Sequence, residues 1–309
     1  MTPSPSRATP HALSRRAHRS RSEAIIGAVL FVMSAITVLT TIAVVFVLAE
    51  ETVQFFREVS IAEFFTERRW TPLFADAYYG ISPLVLGTLL VATISLAVGV
   101  PLGLGSAIFL SEYASPGVRR QLVPWLELLA GIPTVVFGYF ALLTVTPVIR
   151  AIIPGVNLFN PLSAGLVMGF MILPTVASVS LDSMQAVPRS LREAAYGLGA
   201  SRFEVVTRVI VPAALSGIVA AILLALSRAV GETMIVTLAA GQRPTFTFDP
   251  RETIATMTSF IVQAATGDQP QGSLASRALY AVGATLFTVT LAVNLIAQAV
   301  VRRFSEKYE

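Results

Sequence analysis

Residues 192–212 read REAAYGLGASRFEVVTRVIVP, and they interrupt a chain that is otherwise rich in apolar residues. Charged and small side chains alternate here, the charged ones being Arg192, Glu193, Arg202, Glu204 and Arg208. Such charges are costly inside a bilayer, so the stretch is expected to lie in water at a membrane surface. Its alanines and glycines predict a nearly bare surface that a partner could approach closely.

The composition of the 309-residue chain is typical of an integral membrane protein. Hydrophobic residues make up 54% and charged residues 13%, whereas soluble domains carry about 25% charged residues. Cysteine is absent, both histidines (His11 and His18) lie in the N-terminal tail, and the only lysine is Lys307. These facts exclude thiolate metal sites, an intramembrane imidazole and a GxxxxGK[ST] phosphate loop. With GxSxG and HExxH also absent, we expect no enzyme, no cofactor and no metal.

Six apolar runs are long enough to cross a bilayer, which takes about 20 helical residues. They cover residues 24–49, 84–110, 122–149, 162–181, 213–240 and 278–301. The first run is too long for a signal-peptide core of about 7–15 residues. Because open strands cannot satisfy their backbone groups in lipid, the sequence predicts an all-α membrane protein with six transmembrane helices.

The segments between and around these runs differ in composition. Residues 1–23 are rich in Ser, Pro and Arg and are expected to be a disordered basic tail. Residues 50–83 mix aromatic and charged side chains, as is typical of a membrane surface. The remaining segments are the charged loop 182–212 and the polar segment 241–276, both within a core of residues 84–301, and the tail 302–309.

Arginine and lysine predict the orientation of the chain. The side with both termini and the loops around Arg119 and Arg192 carries 14 of them, the opposite side carries 7, and Arg228 lies within a span. Positive charge accumulates in cytoplasmic loops. We therefore expect a multi-pass plasma-membrane protein with both termini and the charged loop in the cytosol, and with 50–83 and 241–276 outside.

Local signals divide the charged loop into two helices. Pro188 suits a first helical position, and Gly197 and Gly199 suit the end of that helix. Ser201 followed by Glu204 predicts a capping box that starts the second helix. Two interpretations of this helix–turn–helix remain open, a docking surface for a partner protein and an ordinary basic loop held by anionic lipid.

Arg228 and Glu232 are charged residues inside the fifth run, one helical turn apart. Intramembrane charges usually face a cavity or a partner. A guanidinium fork matches the oxygens of an anion such as phosphate, so the two residues are candidates for a substrate pathway. The alternative is a structural ion pair, although the order Arg then Glu is the less favourable one for a local helical pair.

Two weaker patterns concern packing and the outer segment. GVPLG (99–103) and GLVMG (165–169) are GxxxG patterns, which predict close helix–helix contact. Asp249, Pro250 and Glu252 predict a helix start within 241–276. The apolar face of that helix would consist of Ile254, Met257, Ile261, Val262 and Ala265, and we expect the helix to lie on the outer surface.

The spacing in the charged loop resembles the EAA loop of ABC importer permeases. That pattern is EAA, three residues, Gly, nine residues, Ile-x-Leu-Pro, with valines here in place of Ile and Leu. The resemblance implies a coupling helix that fits a groove on a separate ATP-binding subunit. The residues that would make this contact are Glu193, Ala194, Ala195, Gly199 and Pro212.

From about residue 64 to 300 the chain resembles the PstC family of phosphate-importer permeases. The resemblance rests on RRWTPLFADAYYGISPLVLGTLLVA (68–92), ELLAGIPTVVFGYFAL (127–142), ILPTVASVSLDSMQAVPRSLREAAYGLGAS (172–201) and ALSRAVGETMIVT (225–237). It implies the MetI-like permease fold with cytosolic coupling helices, phosphate as substrate, and surrounding lipid. The implied partners are a second permease (PstA-like), ATP-binding subunits (PstB-like) and an extracytoplasmic phosphate-binding protein (PstS-like); nucleic acid is not among them.

Three alternatives remain open at the level of the sequence. The chain could be the sister permease PstA, which tends to have GETAPL where this chain has Gly231 to Val236. It could be a sulfate- or molybdate-type permease. Outside this class, it could be a membrane receptor or scaffold without transport.

Overall fold

The structure is a computed structural model that describes residues 10–74, 76–270 and 272–304. Over these ranges it is helical, and its one isolated β-bridge joins Trp70 and Tyr79. The helices are α1 Pro10–Glu58, α2 Ile61–Thr66, α3 Ser82–Ile108, α4 Pro116–Ala130, α5 Thr134–Phe140, α6 Thr146–Ile152, α7 Pro161–Gln185, α8 Arg189–Gly197, α9 Arg202–Val205, α10 Val211–Ala213, α11 Leu215–Val230, α12 Met257–Thr266 and α13 Leu274–Phe304. Short π-helical turns occur at Phe109–Tyr113, Ala141–Val145, Val206–Ile210 and Val236–Ala240. The predicted all-α class is confirmed.

Five helical segments of the described chain are long and apolar enough to cross a membrane. They are Glu23–Glu58, Ser82–Tyr113, Thr134–Ile152, Pro161–Gln185 and Leu274–Ala299. A sixth is obtained if Arg202–Ala213 and Leu215–Val230, which bend by 71° at their junction, count as one span. The described chain therefore has five or six candidate spans, against the six predicted.

The chain divides into two compact units, residues 1–51 and 52–309. In the first unit, residues 24–49 of α1 are apolar and almost all exposed, as suits a helix that faces lipid. The helix begins at Pro10, within the stretch 1–23 for which the sequence predicts a disordered tail, and residues 1–9 lie outside the described ranges. Proline favours a first helical position, and residues 11–23 contain no helix breaker, so the helix extends backwards from its apolar part.

In the second unit, α3 and α7 pack in parallel through their glycines. A Cβ at Gly99 would lie 2.7 Å from the Gly169 carbonyl oxygen, and one at Gly103 would lie 2.7 Å from Val176 Cβ. A Cβ at Gly165 would likewise lie 2.7 Å from Ile94 Cβ. Only glycine allows the backbones to come this close, so the packing predicted for both GxxxG patterns is confirmed.

The third predicted span, residues 122–149, starts too early. Gly131, Ile132 and Pro133 separate α4 from α5, and the membrane-length segment is Thr134–Ile152. Proline excludes the preceding residue from helical geometry and donates no N–H, which ends α4 at Ala130. None of the residues of α4 is buried, so α4 is a separate helix on the surface of this chain.

The fifth predicted span, residues 213–240, is a broken helix. Helix α11 ends at Val230, and helical structure resumes at Met234 and continues to Ala240. Sixteen residues rise about 24 Å, which is less than the hydrocarbon thickness of about 30 Å. Helix α11 alone is therefore shorter than a crossing.

The outer segment 241–276 also differs from its prediction. Its helix, α12, begins at Met257 with a capping box between Thr256 and Ser259. The predicted start at Asp249 is wrong because carbonyls there bind another segment: Asn157 N–H donates to Arg251 and Leu162 N–H donates to Pro250. The buried residues of α12 are Met257, Thr258, Ser259, Phe260 and Ala264. Of the predicted apolar face, Ile254 and Met257 are buried, Ile261 and Val262 are half-buried, and Ala265 is exposed.

Aromatic side chains hold this end of the second unit together. Trp70 stacks edge to face on Phe260 at 5.0 Å and on Phe64 at 6.1 Å between ring centroids. Phe55 contacts Phe64 in the same way at 5.7 Å. Edge-to-face pairs add stability beyond their buried area, so these rings fix the segment before α3 against α12.

Candidate functional site

The charged loop ends its first helix in a Schellman motif. The N–H of Gly199 donates to Tyr196 and the N–H of Ala200 donates to Ala195, which is the pattern of that cap. Gly199 has a φ of 83°, a conformation that costs a residue with a side chain about 1–2 kcal/mol. Gly199 is thus required by the backbone, in addition to any contact it makes with a partner.

The second helix begins with the predicted capping box. Glu204 N–H donates to Ser201 Oγ, while Ser201 N–H and hydroxyl both donate to Glu204 Oε2. The N–H of Ser201, followed by its hydroxyl, lowers the pKa of Glu204. Val205, Val206 and Ile210 of the following turns are buried, so this part of the loop is anchored to the body of the protein.

In contrast, α8 lies on the surface. It contains no buried residue, and Glu193 forms no hydrogen bond or ion pair within the described ranges. Leu198 is 90% exposed and Phe203 68% exposed. Beside them lies a surface hollow of about 320 Å³ that includes Ala195, Leu198, Gly199 and Val209.

The five residues predicted to contact an ATPase therefore occupy different positions. Glu193, Ala194 and Gly199 are exposed on and just after α8, and Ala195 is half-buried on the same helix. Pro212 is exposed in α10, next to the 71° bend into α11. The structure brings the first four together and leaves Pro212 at the start of the bend.

Arg192 holds α8 to the rest of the chain. Its Nη2 lies 3.4 Å from Glu112 Oε1 and donates to the Met184 carbonyl at 2.5 Å. Glu112 belongs to the π-helical turn at the end of α3, and its side chain is only 8% exposed. Sequence analysis missed this pair because the partners are 80 positions apart.

The second candidate site is the break that follows α11. Arg228 is half-buried in the last turn of α11, and its Nη1 donates to Thr175 Oγ1 at 3.2 Å. Glu232 is 8% exposed, and its Oε1 accepts the N–H groups of Met234 and Ile235. Although the structure describes both residues, it contains no ion pair between them, since the chain leaves the helix at Gly231.

Two hydroxyls at this break were missed as functional residues. Thr175 on α7 holds Arg228, and the Thr258 hydroxyl on α12 donates to the Glu232 carbonyl at 2.7 Å. Thr175 also lines a cavity of about 260 Å³ together with Glu127 of α4 and Ser178. The repeated Pro-Thr-Val at 133–135 and 174–176 was the available signal for Thr175.

Chemically, the break is a polar site in an apolar surrounding. It offers a guanidinium, hydroxyls and an unwound backbone. In membrane proteins, unwound backbone occurs where the chain is buried in protein or lines a cavity. Within residues 10–74, 76–270 and 272–304, no group of three His, Asp or Glu side chains could hold a metal ion. The arrangement can bind an anion and offers no pair of groups for acid–base or nucleophilic catalysis.

Residues 99–306 match the family described as the binding-protein-dependent transport system inner membrane component. The match extends from the middle of α3 to the end of α13 and includes both candidate sites.

Curated relatives match over most of the chain. A probable ABC transporter permease protein, YqgH, of Bacillus subtilis is 35% identical over 75% of this chain and 75% of its own length. The phosphate transport system permease protein PstC of Haemophilus influenzae is 35% identical over 79% of this chain and 82% of its own. PstC of Mesorhizobium japonicum is 34% identical over 79% of each.

Solved structures share the fold at lower identity. A bacterial ABC transporter involved in the import of alginate matches with a TM-score of 0.64 and 18% identity, over 93% of this chain and all of its own. An inward-facing MetNI methionine ABC transporter matches with a TM-score of 0.55 and 17% identity, over 74% of this chain and 95% of its own. At such identities the likeness concerns the fold alone.

Proposed function

This chain belongs to the family of binding-protein-dependent transport system inner membrane components, and from that premise we propose that it is a permease subunit of an ATP-driven importer of inorganic phosphate. The observation that carries the proposal is its similarity to two proteins named PstC over 79% of the chain. The fold shared with ABC importers supports a multi-pass membrane subunit. In this role the chain forms half of the translocation pathway.

The energy source of the proposed importer is a separate ATP-binding subunit. Helix α8 is the part of the chain proposed to enter a groove on that subunit. Two observations support this: α8 has no buried residue, and Glu193 and Ala194 are exposed on it. Pro212 contributes from the bend at the start of α11, where it would direct a displacement of the loop towards the membrane.

The proposed substrate pathway passes the break after α11. Arg228 supplies a charge that phosphate requires, and its fork can bind two phosphate oxygens at once. Glu232 acts here by holding the backbone: it caps the segment after the break through the N–H groups of Met234 and Ile235. This capping keeps the break open without neutralising Arg228.

The proposed assembly has two permeases, a pair of ATP-binding subunits and an extracytoplasmic phosphate-binding protein. Both termini and α8 lie in the cytosol, as the unequal distribution of Arg and Lys supports. Of the alternatives, the sister permease PstA is disfavoured because curated relatives at 34–35% identity carry the name PstC.

The experiment is to reconstitute the chain in liposomes with PstA-, PstB- and PstS-type partners and to measure ATP hydrolysis. We expect phosphate to stimulate hydrolysis and to accumulate inside, and sulfate and molybdate to do neither. Stimulation by sulfate or molybdate alone would reject the phosphate assignment. Failure to bind any ATP-binding subunit would reject transport and favour a scaffold.

A further inference from the structure

We propose that the Glu112–Arg192 ion pair is the mechanical joint through which displacement of α8 reaches the transmembrane helices. Glu112 and Arg192 are positioning residues: they touch neither substrate nor nucleotide. The inference rests on the proposed function in one respect, since it takes α8 as the element that the ATP-binding subunit moves.

The joint connects three elements at one point. Arg192 lies on α8, Glu112 lies in the π-helical turn Phe109–Tyr113 that ends α3, and Met184 lies in the last turn of α7. Arg192 Nη2 contacts the carboxylate at 3.4 Å and the Met184 carbonyl at 2.5 Å. The same guanidinium therefore links α8 to both α3 and α7.

The π-helical turn receives two further arginines. Arg119, from α4, donates to the carbonyls of Leu110 and Ser111 at 2.7 and 2.6 Å. Arg202, at the start of α9, lies 5.5 Å from the ring of Tyr113. Arginines from three cytosol-side segments thus converge on five residues, which makes this turn the common support of the loop region.

Arg192 is the main polar link between α8 and the body of the protein. The helix has nine residues, too few to be stable alone, and none of them is buried. The side chains of the pair are 20% and 8% exposed, so the attraction is screened less than that of a surface pair. By contrast, the ion pair Arg208–Glu204 in the same loop is 3.9 Å long and 78% and 43% exposed.

A force on the joint would move α3 and α7 together. Their glycines bring the two backbones into contact along Gly99–Gly103 and Gly165–Gly169, and packed helices shift as rigid bodies. Helix α7 carries Thr175, which holds Arg228. The path from α8 to the proposed anion site therefore consists of direct contacts: Arg192 to Glu112 at the end of α3, the glycines of α3 to α7, and Thr175 on α7 to Arg228. The bond from Arg192 to the Met184 carbonyl is a second contact with α7.

The test compares Glu112→Gln with the wild type in the complete four-component complex. The first measurement is phosphate imported per ATP hydrolysed, normalised to assembled complex. We expect this ratio to fall at least about fivefold, the lower end of the usual range for energetic coupling between two sites. ATP-binding subunits should still assemble with the variant, because α8 keeps its exposed face.

The second measurement needs no phosphate. Hydrogen–deuterium exchange of the complex with ATP and vanadate should slow at α8 and at residues 109–113 in the wild type. In Glu112→Gln the slowing should persist at α8 and be lost at 109–113. Arg69→Gln is the matched control, since it removes an ion pair of the same 3.4 Å length that is exposed and lies outside the loop, and it should behave as the wild type in both measurements.

A second set of variants addresses folding. Arg192→Lys keeps the charge and should retain part of the coupling, whereas Arg192→Gln leaves the buried Glu112 carboxylate with the Ser111 hydroxyl as donor but without its cation. The double variant Glu112→Gln/Arg192→Gln removes both charges and should be no worse than either single variant in import per ATP. A double variant whose losses are additive would contradict a joint formed by this pair.

The possible failures are distinguishable. If the ATP-binding subunit does not bind the wild-type chain, the proposed function fails and the joint with it. If the ATP-binding subunit binds, the joint alone is rejected by either of two results. Exchange at residues 109–113 does not slow with ATP and vanadate in the wild type, or it slows equally in Glu112→Gln. If phosphate import is absent while the exchange pattern is as expected, the substrate assignment fails and the joint stands.

Discussion

At the scale of single residues, Arg228 and Glu232 have separate partners although they are four positions apart. Arg228 donates to Thr175, and Glu232 accepts two backbone N–H groups of the segment that follows it. An arginine that is bound by one neutral hydroxyl keeps most of its donors for another ligand. This division of roles leads to a prediction for each residue.

Arg228→Gln should abolish phosphate uptake while the complex still assembles, because the amide has neither the charge nor the fork of a guanidinium. The double variant Arg228→Gln/Glu232→Gln should also assemble without transport. Uptake is measured with labelled phosphate and normalised to complex. Near-normal uptake by the double variant would contradict the pathway role and support a structural ion pair.

Thr175→Val should weaken uptake less than Arg228→Gln, because the guanidinium remains but loses its support. The matched control is Thr290→Val in α13, whose hydroxyl bonds only to carbonyls of its own helix. The control should transport as the wild type. Equal effects of the two threonine variants would argue against a specific link between Thr175 and Arg228.

Gly197 and Gly199 allow the docking of α8 to be tested separately from the backbone geometry at its end. A Cβ at Gly197 meets nothing within 4 Å, and Gly197 lacks the positive φ of Gly199. Gly197→Trp should therefore fold normally but lose the ATP-binding subunit in a pull-down, as should the charge reversal Glu193→Arg. Retention of that subunit at unchanged stoichiometry by both variants would contradict docking at α8.

At the scale of elements, the glycine-mediated packing of α3 on α7 is open to a direct test. Gly99→Val should destabilise the protein by about 1–3 kcal/mol, the usual cost of overpacking, because its Cβ would lie 2.7 Å from the Gly169 carbonyl oxygen. The measurement is the thermal unfolding midpoint in detergent. Gly105→Ala, on the same helix with nothing within 4 Å of its Cβ, is the control and should not lower that midpoint.

At the scale of the whole molecule, the prediction is that α8 and the segment before α2 lie on opposite sides of the membrane, with α8 in the cytosol. The chain has no cysteine, so single cysteines can be introduced without background. Ser190→Cys on α8 should resist a membrane-impermeant thiol reagent in intact cells, and Ser60→Cys before α2 should react; both positions are exposed. The reverse labelling pattern would overturn the orientation.

The sequence by itself determined the class of protein, most of the spans and the local structure of the loop. Apolar runs of membrane length leave helices as the only choice, and the signals at Ser201, Glu204 and Gly199 act through bonds to neighbouring residues. Both GxxxG patterns also predicted close helix packing correctly, because such packing requires glycine whichever helix is the partner. The class, the spans and the loop structure depend on nearest neighbours along the chain or on the solvent, and the glycine packing depends on the absence of a side chain, which the sequence itself records.

Only the tertiary structure decided the features that join distant residues. Helix α12 begins at Met257 and not at the predicted Asp249, because the carbonyls of residues 250 and 251 accept N–H groups of residues 162 and 157. Arg228 and Glu232 are four positions apart in sequence but form no pair, because Glu232 caps the segment after the break. Arg192 meets Glu112 across 80 positions. A hydrogen bond to a distant partner outweighs local preference once the helices have packed, and no pattern in the local sequence records that partner.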